Sequence, residues 1–243
     1  VLGGFFIANA LIAEFIGVKI FSLEQTFGYE PVNLNFFGKD GYAFNLTAGM
    51  LLWPVVFIMT DIINEYFGRK GVRILTYLAV VLISYAFIMV YGAISLAPDQ
   101  DWWNGSKADL GVPVMQDAFS AIFGQGMWII VGSLVAFLIG QLVDVIVFHR
   151  IKKWTGEGKI WLRATGSTLV SQFLDSYVVL YIAFVIGAGM PLDTFLALGT
   201  IGYIYKFGSA ILLTPLIYLA HYLIDHYLGE ELADRLKHEA SLS

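Results

Sequence analysis

The chain has 243 residues, 58% of them hydrophobic and 14% charged, and a formal net charge of −5. Soluble domains carry about 25% charged residues, and a mean hydropathy of +0.74 leaves too little polar surface for one. Cysteine is absent, which excludes disulfides, thiolate metal sites, iron–sulfur clusters and cysteine nucleophiles together.

The apolar runs are each close to the roughly 20 residues that cross a bilayer. They predict an all-α, polytopic membrane protein of six transmembrane helices in one domain, 1–243, with spans at about 1–21, 43–66, 72–97, 127–149, 161–187 and 194–224. Such a compact bundle would enclose a polar cavity. Because the chain starts at Val1, a few residues are expected to precede it. Span 1 is longer than a signal-peptide core and holds Asn9, Glu14 and Lys19, so it reads as a retained span. The long polar connection that follows, Ser22 to Gly41, has no assigned role. Span 2 carries Trp53, Phe57, Thr60, Asp61, Asn64 and Glu65 on one face, aromatic toward one end and acidic toward the other. Pro54 and Pro215 interrupt spans 2 and 6, where a proline frees a backbone carbonyl. After span 3, Trp102 and Trp103 suit a membrane interface, and Met115 to Phe123 predict a short helix along it. Of two glycosylation-like triplets, Asn45-Leu-Thr47 falls inside a span and Asn104-Gly-Ser106 carries no weight.

Span 4 repeats small residues every fourth position, Gly132, Ala136 and Gly140, and ends the row on Asp144, with Gln141 beside it. Such a row admits another helix closely. Span 5 places Thr168, Ser171, Gln172 and Asp175 at i, i+3, i+4 and i+7, one continuous face. Span 6 contributes Tyr203, Tyr205 and Lys206. A Gln-x-x-Asp pair thus recurs on spans 4 and 5. Each charge at the membrane centre costs about 2.5–3.5 kcal/mol on insertion scales. Three would approach ~10 kcal/mol, comparable with a whole domain's stability of about 5–15 kcal/mol. These groups must therefore pair, protonate or face a polar cavity. Lys206 bridging Asp175 is the structural solution for one of them; the surplus of acceptors favours a polar pocket among spans 1, 2, 4, 5 and 6.

Orientation follows from basic residues. Arg69, Lys70, Arg73, Arg150, Lys152, Lys153, Lys159, Arg163, Arg235 and Lys237 fall in the 2–3 and 4–5 connections and the tail, against Lys39 and Lys107 in the opposite loops. The positive-inside rule then places both termini in the cytoplasm. His149, His221, His226 and His238 show no metal-ligand spacing, no glycine loop for ATP phosphates is present, and no protease or nucleophile motif appears. No metal, cofactor or enzymatic activity is expected.

Three blocks, "PVVFIMTDIINEYFGRKGVR" (54–73), "GSLVAFLIGQLVDVIVFHRIKK" (132–153) and "WLRATGSTLVSQFLDSYVVLYIAF" (161–184), resemble the queuosine-precursor transporter family of bacterial and archaeal inner membranes, also described as vitamin-uptake-type transporters. The similarity extends over essentially the whole chain. "TDIINE" and "GSTLVSQFLD" are its more specific parts. The resemblance implies uptake of 7-cyano-7-deazaguanine or its aminomethyl relative across the inner membrane, with no nucleic-acid partner. It carries Asp61, Asn64 and Glu65, then Gln141 and Asp144, then Arg163, Ser167, Ser171, Gln172 and Asp175 onto the family's polar blocks. A deazaguanine offers N1–H and an amine side by side to a carboxylate, a carbonyl to an amide or cation, and a flat face to an aromatic ring. Asp175 or Asp144 would take the donor edge, Gln172 or Gln141 the carbonyl, and Trp53 or Phe57 the ring face. A capture subunit that depends on a separate ATP-driven module is the alternative. Proton coupling and a homo-oligomer are both compatible with the sequence, which selects neither.

Overall fold

The computed structural model describes residues 2–99, 111–112, 114–156 and 159–242. Trp102, Trp103, Lys107 and the Asn104 triplet lie outside the described residues. Helix α1 spans Leu2–Ile16 and stops at Gly17, whose N–H closes on the Ala13 carbonyl. It ends short of the predicted residue 21, and at ~1.5 Å per residue its 15 residues cover about 22 Å. The apolar "IFS" beyond it is strand β1 (Ile20–Ser22), paired antiparallel with β4 (Asn45–Thr47). Between them lie the short helix α2 (Leu23–Thr26) and a hairpin of β2 (Leu34–Phe36) and β3 (Lys39–Tyr42). The hairpin turns at Phe37 (φ 53°) and Gly38 (φ 77°), the left-handed pair that a tight hairpin requires. Span 2 therefore does not begin as helix at 43. Asn45-Leu-Thr47 lies in a strand, and a 3₁₀ turn, Ala48–Leu51, leads into the helix.

Helix α3, Trp53–Ser95, opens with Pro54 in its first turn, so that proline starts the helix rather than interrupting it. Its 43 residues would measure about 65 Å if straight. Gly68 breaks it at φ 66°, ψ −170°, a conformation essentially confined to glycine. Two arms result, 53–67 and 69–95. Helix α4 (Met115–Phe123) is the short helix expected there. Helix α5 spans Met127–Thr155. Helix α6, Ile160–Leu180, continues as a π-helical stretch, Tyr181–Ile186. Helix α7, Leu192–Leu228, retains Pro215 in its interior, and helix α8 is Glu230–Leu242.

Four segments, Ala48–Ser95, Met115–Thr155, Trp161–Ile186 and Leu192–Leu228, are long and apolar enough to cross a membrane. Large apolar side chains such as Ile74, Ile88, Leu212 and Tyr222 lie exposed along them, as a lipid-facing surface requires. The protein is an all-α membrane protein whose short strands, among the described residues, are confined to 20–47.

The small-residue row on α5 packs against α6. A Cβ on Gly132 would lie 3.0 Å from the Val179 carbonyl, and one on Gly140 3.7 Å from the Asp175 Cβ. Helix α1 runs parallel to the second arm of α3: Gly3 abuts Leu75 at one end, and Phe15 packs on Phe87 (5.5 Å between ring centres) at the other. The 3₁₀ turn presses onto the end of α1 so tightly that a Cβ on Gly49 would come within 2.3 Å of the Ala13 carbonyl. Phe6, Val56, Ile63, Tyr66, Ile83 and Phe137 fill the core between α1, α3 and α5.

Candidate functional site

The polar residues of α3, α5, α6 and α7 meet in layers along the bundle. At one end, beside the Gly68 break, Glu65 Oε1 accepts from Lys152 Nζ (3.1 Å) and Arg163 NH2 (2.7 Å). Arg163 is 1% exposed and also donates to the Gly156 carbonyl at 3.0 Å. Asn64 Oδ1 lies 2.9 Å from His149 Nε2. Tyr66 donates to Asp225 Oδ1 at 2.7 Å and sits 3.1 Å from His221 Nδ1, while Lys237 of α8 reaches Asp225 Oδ2 at 2.8 Å. This end gathers the basic residues of the 2–3 and 4–5 connections and the tail.

One turn further in, compensation by cations gives way to hydroxyls. Ser171 donates to Asp144 Oδ1 at 3.1 Å, Thr168 reaches Asp61 Oδ2 at 3.4 Å, and Thr60 donates to Gln141 Oε1 at 2.9 Å. Asp61 and Asp144 are 1% and 0% exposed, and their hydroxyl donors, Thr168 and Ser171, stand one turn apart on α6. Deeper still, Lys206 Nζ is ion-paired with Asp175 Oδ2, the structural solution to the cost of an unpaired charge in the membrane.

A cleft opens among α3, α6 and α7. Phe57, Asp61, Thr165, Thr168, Gln172 and Lys206 line it, with Pro54, Ile58, Leu213 and Ile217 as its apolar wall. Only about 20 Å³ of it is open to water, room for roughly one molecule. Two buried atoms facing it, Asp61 Oδ1 and Gln172 Nε2, have no hydrogen-bond partner among the described residues. One is an acceptor and the other a donor.

Of the residues singled out by sequence, Pro54, Phe57, Asp61, Thr168, Gln172 and Lys206 line the cleft. Asp175 stands at its edge through Lys206. Gln141, Asp144 and Ser171 form the hydroxyl-rich layer beside it. Asn64 and Glu65 do not reach it, being held by His149 and by Lys152 and Arg163. Trp53 packs on Phe57 and Phe137, at 6.5 and 5.5 Å between ring centres, and is not among the lining residues. On α1, Asn9 bonds its own helix at the Phe5 carbonyl (2.8 Å), and Glu14 accepts from Ser133. Thr165 is the polar lining residue that sequence reasoning missed. It sits three residues before Thr168, so extending the α6 face by one step would have found it; it bonds Thr214 of α7 at 3.0 Å.

A family model described as "Putative vitamin uptake transporter" matches residues 47–220, well over half of the chain. A "Probable queuosine precursor transporter" of Bacillus subtilis is 30% identical over 74% of this chain and 75% of its own length. A protein of the same name from Haemophilus influenzae is 27% identical over 72% of this chain and 67% of its own. The "Queuosine precursor transporter" of Escherichia coli is 27% identical over 58% of this chain and 56% of its own. No solved structure matches the chain. The chain is thus a multi-pass membrane protein whose work is transport rather than catalysis, and it belongs to the vitamin-uptake-type family that includes the queuosine precursor transporters.

Proposed function

We propose that the protein imports a queuosine precursor, a 7-deazaguanine such as 7-cyano-7-deazaguanine or its aminomethyl relative, through the cleft among α3, α6 and α7. Asp61 takes the N1–H and amine edge, Gln172 donates to the ring carbonyl, and Phe57 supplies the flat apolar face. The observation that carries this reading is the pair of unpartnered buried atoms, Asp61 Oδ1 and Gln172 Nε2, on one cleft wall. Buried polar atoms are nearly always paired, so an exception facing a cleft marks a place for ligand. Asp61 replaces Asp175 and Asp144 in the donor-edge role. Lys206 already occupies Asp175, and Asp144 does not line the cleft.

The space open to water is far smaller than the ~300 Å³ of a typical ligand pocket. This arrangement is therefore closed, and α6 and α7 must part for a ring to enter. The Lys206–Asp175 pair, which joins those two helices, is where they would separate.

Six crossings with both termini in the cytoplasm fit the layering, within one transmembrane domain, 1–243. The arms of α3 are two crossings joined at Gly68. Helix α1 starts at the basic end beside Leu75 and finishes at the other, where Glu14 meets Ser133. The compensated layer then faces the cytoplasm.

Asp61→Asn keeps the shape of the side chain but offers a donor where the substrate also donates. A bidentate pair is worth about 1–3 kcal/mol, so uptake or binding of the deazaguanine should fall roughly 10- to 100-fold while the protein still inserts. Wild-type uptake by that variant would overturn the assignment. Purified chain alone in liposomes is expected to accumulate the precursor. Binding without accumulation would point instead to the capture subunit of an ATP-driven system.

A further inference from the structure

We infer that Asp61 and Asp144 jointly hold one proton, forming a proton-binding site beside the substrate cleft. The two carboxylates come from α3 and α5 and meet one turn of α6: Asp61 accepts from Thr168 and Asp144 from Ser171, whose hydroxyl also bonds the Thr168 carbonyl at 3.0 Å. Both are enclosed, at 1% and 0% exposure. Their side-chain donors are neutral hydroxyls, Thr168 at 3.4 Å for Asp61 and Ser171 at 3.1 Å for Asp144. One oxygen of each, Asp61 Oδ1 and Asp144 Oδ2, has no partner among the described residues.

Most charged groups on the surrounding helices are engaged elsewhere; Arg69, past the Gly68 break of α3, has a buried Nε with no partner among the described residues. On α3, Glu65 holds Lys152 of α5 and Arg163 of α6. On α5, His149 faces Asn64. On α6, Asp175 holds Lys206 of α7, and on α7, His221 faces Tyr66. The carboxylate pair is thus next to cations that other acids already neutralise. Two carboxylates forced together in an apolar interior relieve their repulsion by sharing a single proton, which belongs to the pair rather than to either residue. The pair then carries a single negative charge instead of two.

Substrate loading fits this balance. Donors arriving on Asp61 require it as a carboxylate, so the proton settles on Asp144, whose Oδ1 keeps the Ser171 bond. No proton is gained or lost in that step. The site therefore holds one proton both empty and loaded. This part rests on the role proposed for Asp61, whereas the proton site itself does not.

Infrared difference spectroscopy of the purified protein, with no substrate present, tests the site. Wild-type protein at neutral pH should show the carbonyl band of a protonated carboxylic acid, shifting in D₂O. That band should shift or vanish in Asp144→Asn and equally in Asp61→Asn, because either variant removes one of the two carboxyls that hold the proton. Glu14, buried near Ser133, adds its own signal, so the comparison is made in a Glu14→Gln background. A wild-type spectrum without the band overturns the proposal before any variant is made. So does a band left unchanged by both substitutions, or sodium binding in its absence. None of these outcomes depends on whether a deazaguanine binds.

Discussion

Two layers of the bundle, barely one helical turn apart, treat buried acid in opposite ways. Glu65 is 1% exposed and its Oε1 accepts from two cations, Lys152 and Arg163. Asp61, four residues earlier on the same helix and equally buried, has no cation on it: a threonine hydroxyl donates to its Oδ2 at 3.4 Å. Its Oδ1, like Glu65 Oε2, has no partner among the described residues, but Asp61 alone of the two lines the cleft. Helix, residue chemistry and burial are shared. The difference lies in what α5 and α6 present opposite: basic side chains near the loops, hydroxyls and amides further in. A carboxylate matched to cations fixes helices to one another, and a carboxylate matched only to hydroxyls retains capacity for something that arrives from outside.

The comparison breaks most violently at Glu65. Glu65→Gln removes the charge that balances a guanidinium and an ammonium, both nearly fully buried. Breaking one side of a buried ion pair costs about 3–5 kcal/mol. The variant should lose most of its folded yield in detergent, or show a sharply lowered Tm. Asp61→Asn, by contrast, should fold normally and fail in uptake. If the two exchanged phenotypes, the division into a holding layer and a receiving layer would be wrong.

Much of this division was legible in the chain, and some was not. The i, i+3, i+4, i+7 face of α6 and the acidic face of α3 were readable because helical period alone puts such residues on one side. The Lys206–Asp175 pair followed from the cost of leaving either charge alone in the membrane. Period does not say which of two neighbouring acids meets a cation, since that depends on the register between helices. Asp61 and Glu65 looked equivalent for this reason, and the donor edge was assigned to Asp175 or Asp144. The apolar run past Gly17 read as helix because the pairing of Ile20–Ser22 with Asn45–Thr47 is non-local. Pro54 read as an interruption because the strand before it was hidden in the same way.

Ser171→Ala sharpens the comparison by a smaller step. It deletes the hydroxyl that Asp144 Oδ1 accepts from at 3.1 Å, at a site 0% exposed. A hydrogen bond to a charged group contributes about 1.5–3 kcal/mol, so the expected destabilisation in denaturant titration lies below that of Glu65→Gln. A loss as large as that of Glu65→Gln would mean that the hydroxyl layer also holds the bundle together.

The smallest effect belongs to the connection between α1 and α3, where a carboxylate organises backbone outside the long helices. Glu24 accepts from the N–H of Phe44 (2.9 Å), the N–H of Val32 (3.4 Å) and the Ser22 hydroxyl (3.2 Å), tying α2 to the strands on either side. Partial desolvation pushes its carboxyl up, but the N–H of Phe44 and the further hydrogen bonds outweigh it and hold the group below the ordinary glutamate value of 4.5. A carboxyl lowered on folding stabilises the ordered loop fully above that ordinary value. The contribution is lost as pH falls below 4.5 and through the folded value. Hydrogen exchange at the Phe44 amide should therefore quicken on acidification across that window, and Glu24→Gln should remove the pH dependence. Unchanged protection at Phe44 down the whole range would show that strand pairing between β1 and β4, not the carboxylate, orders this loop.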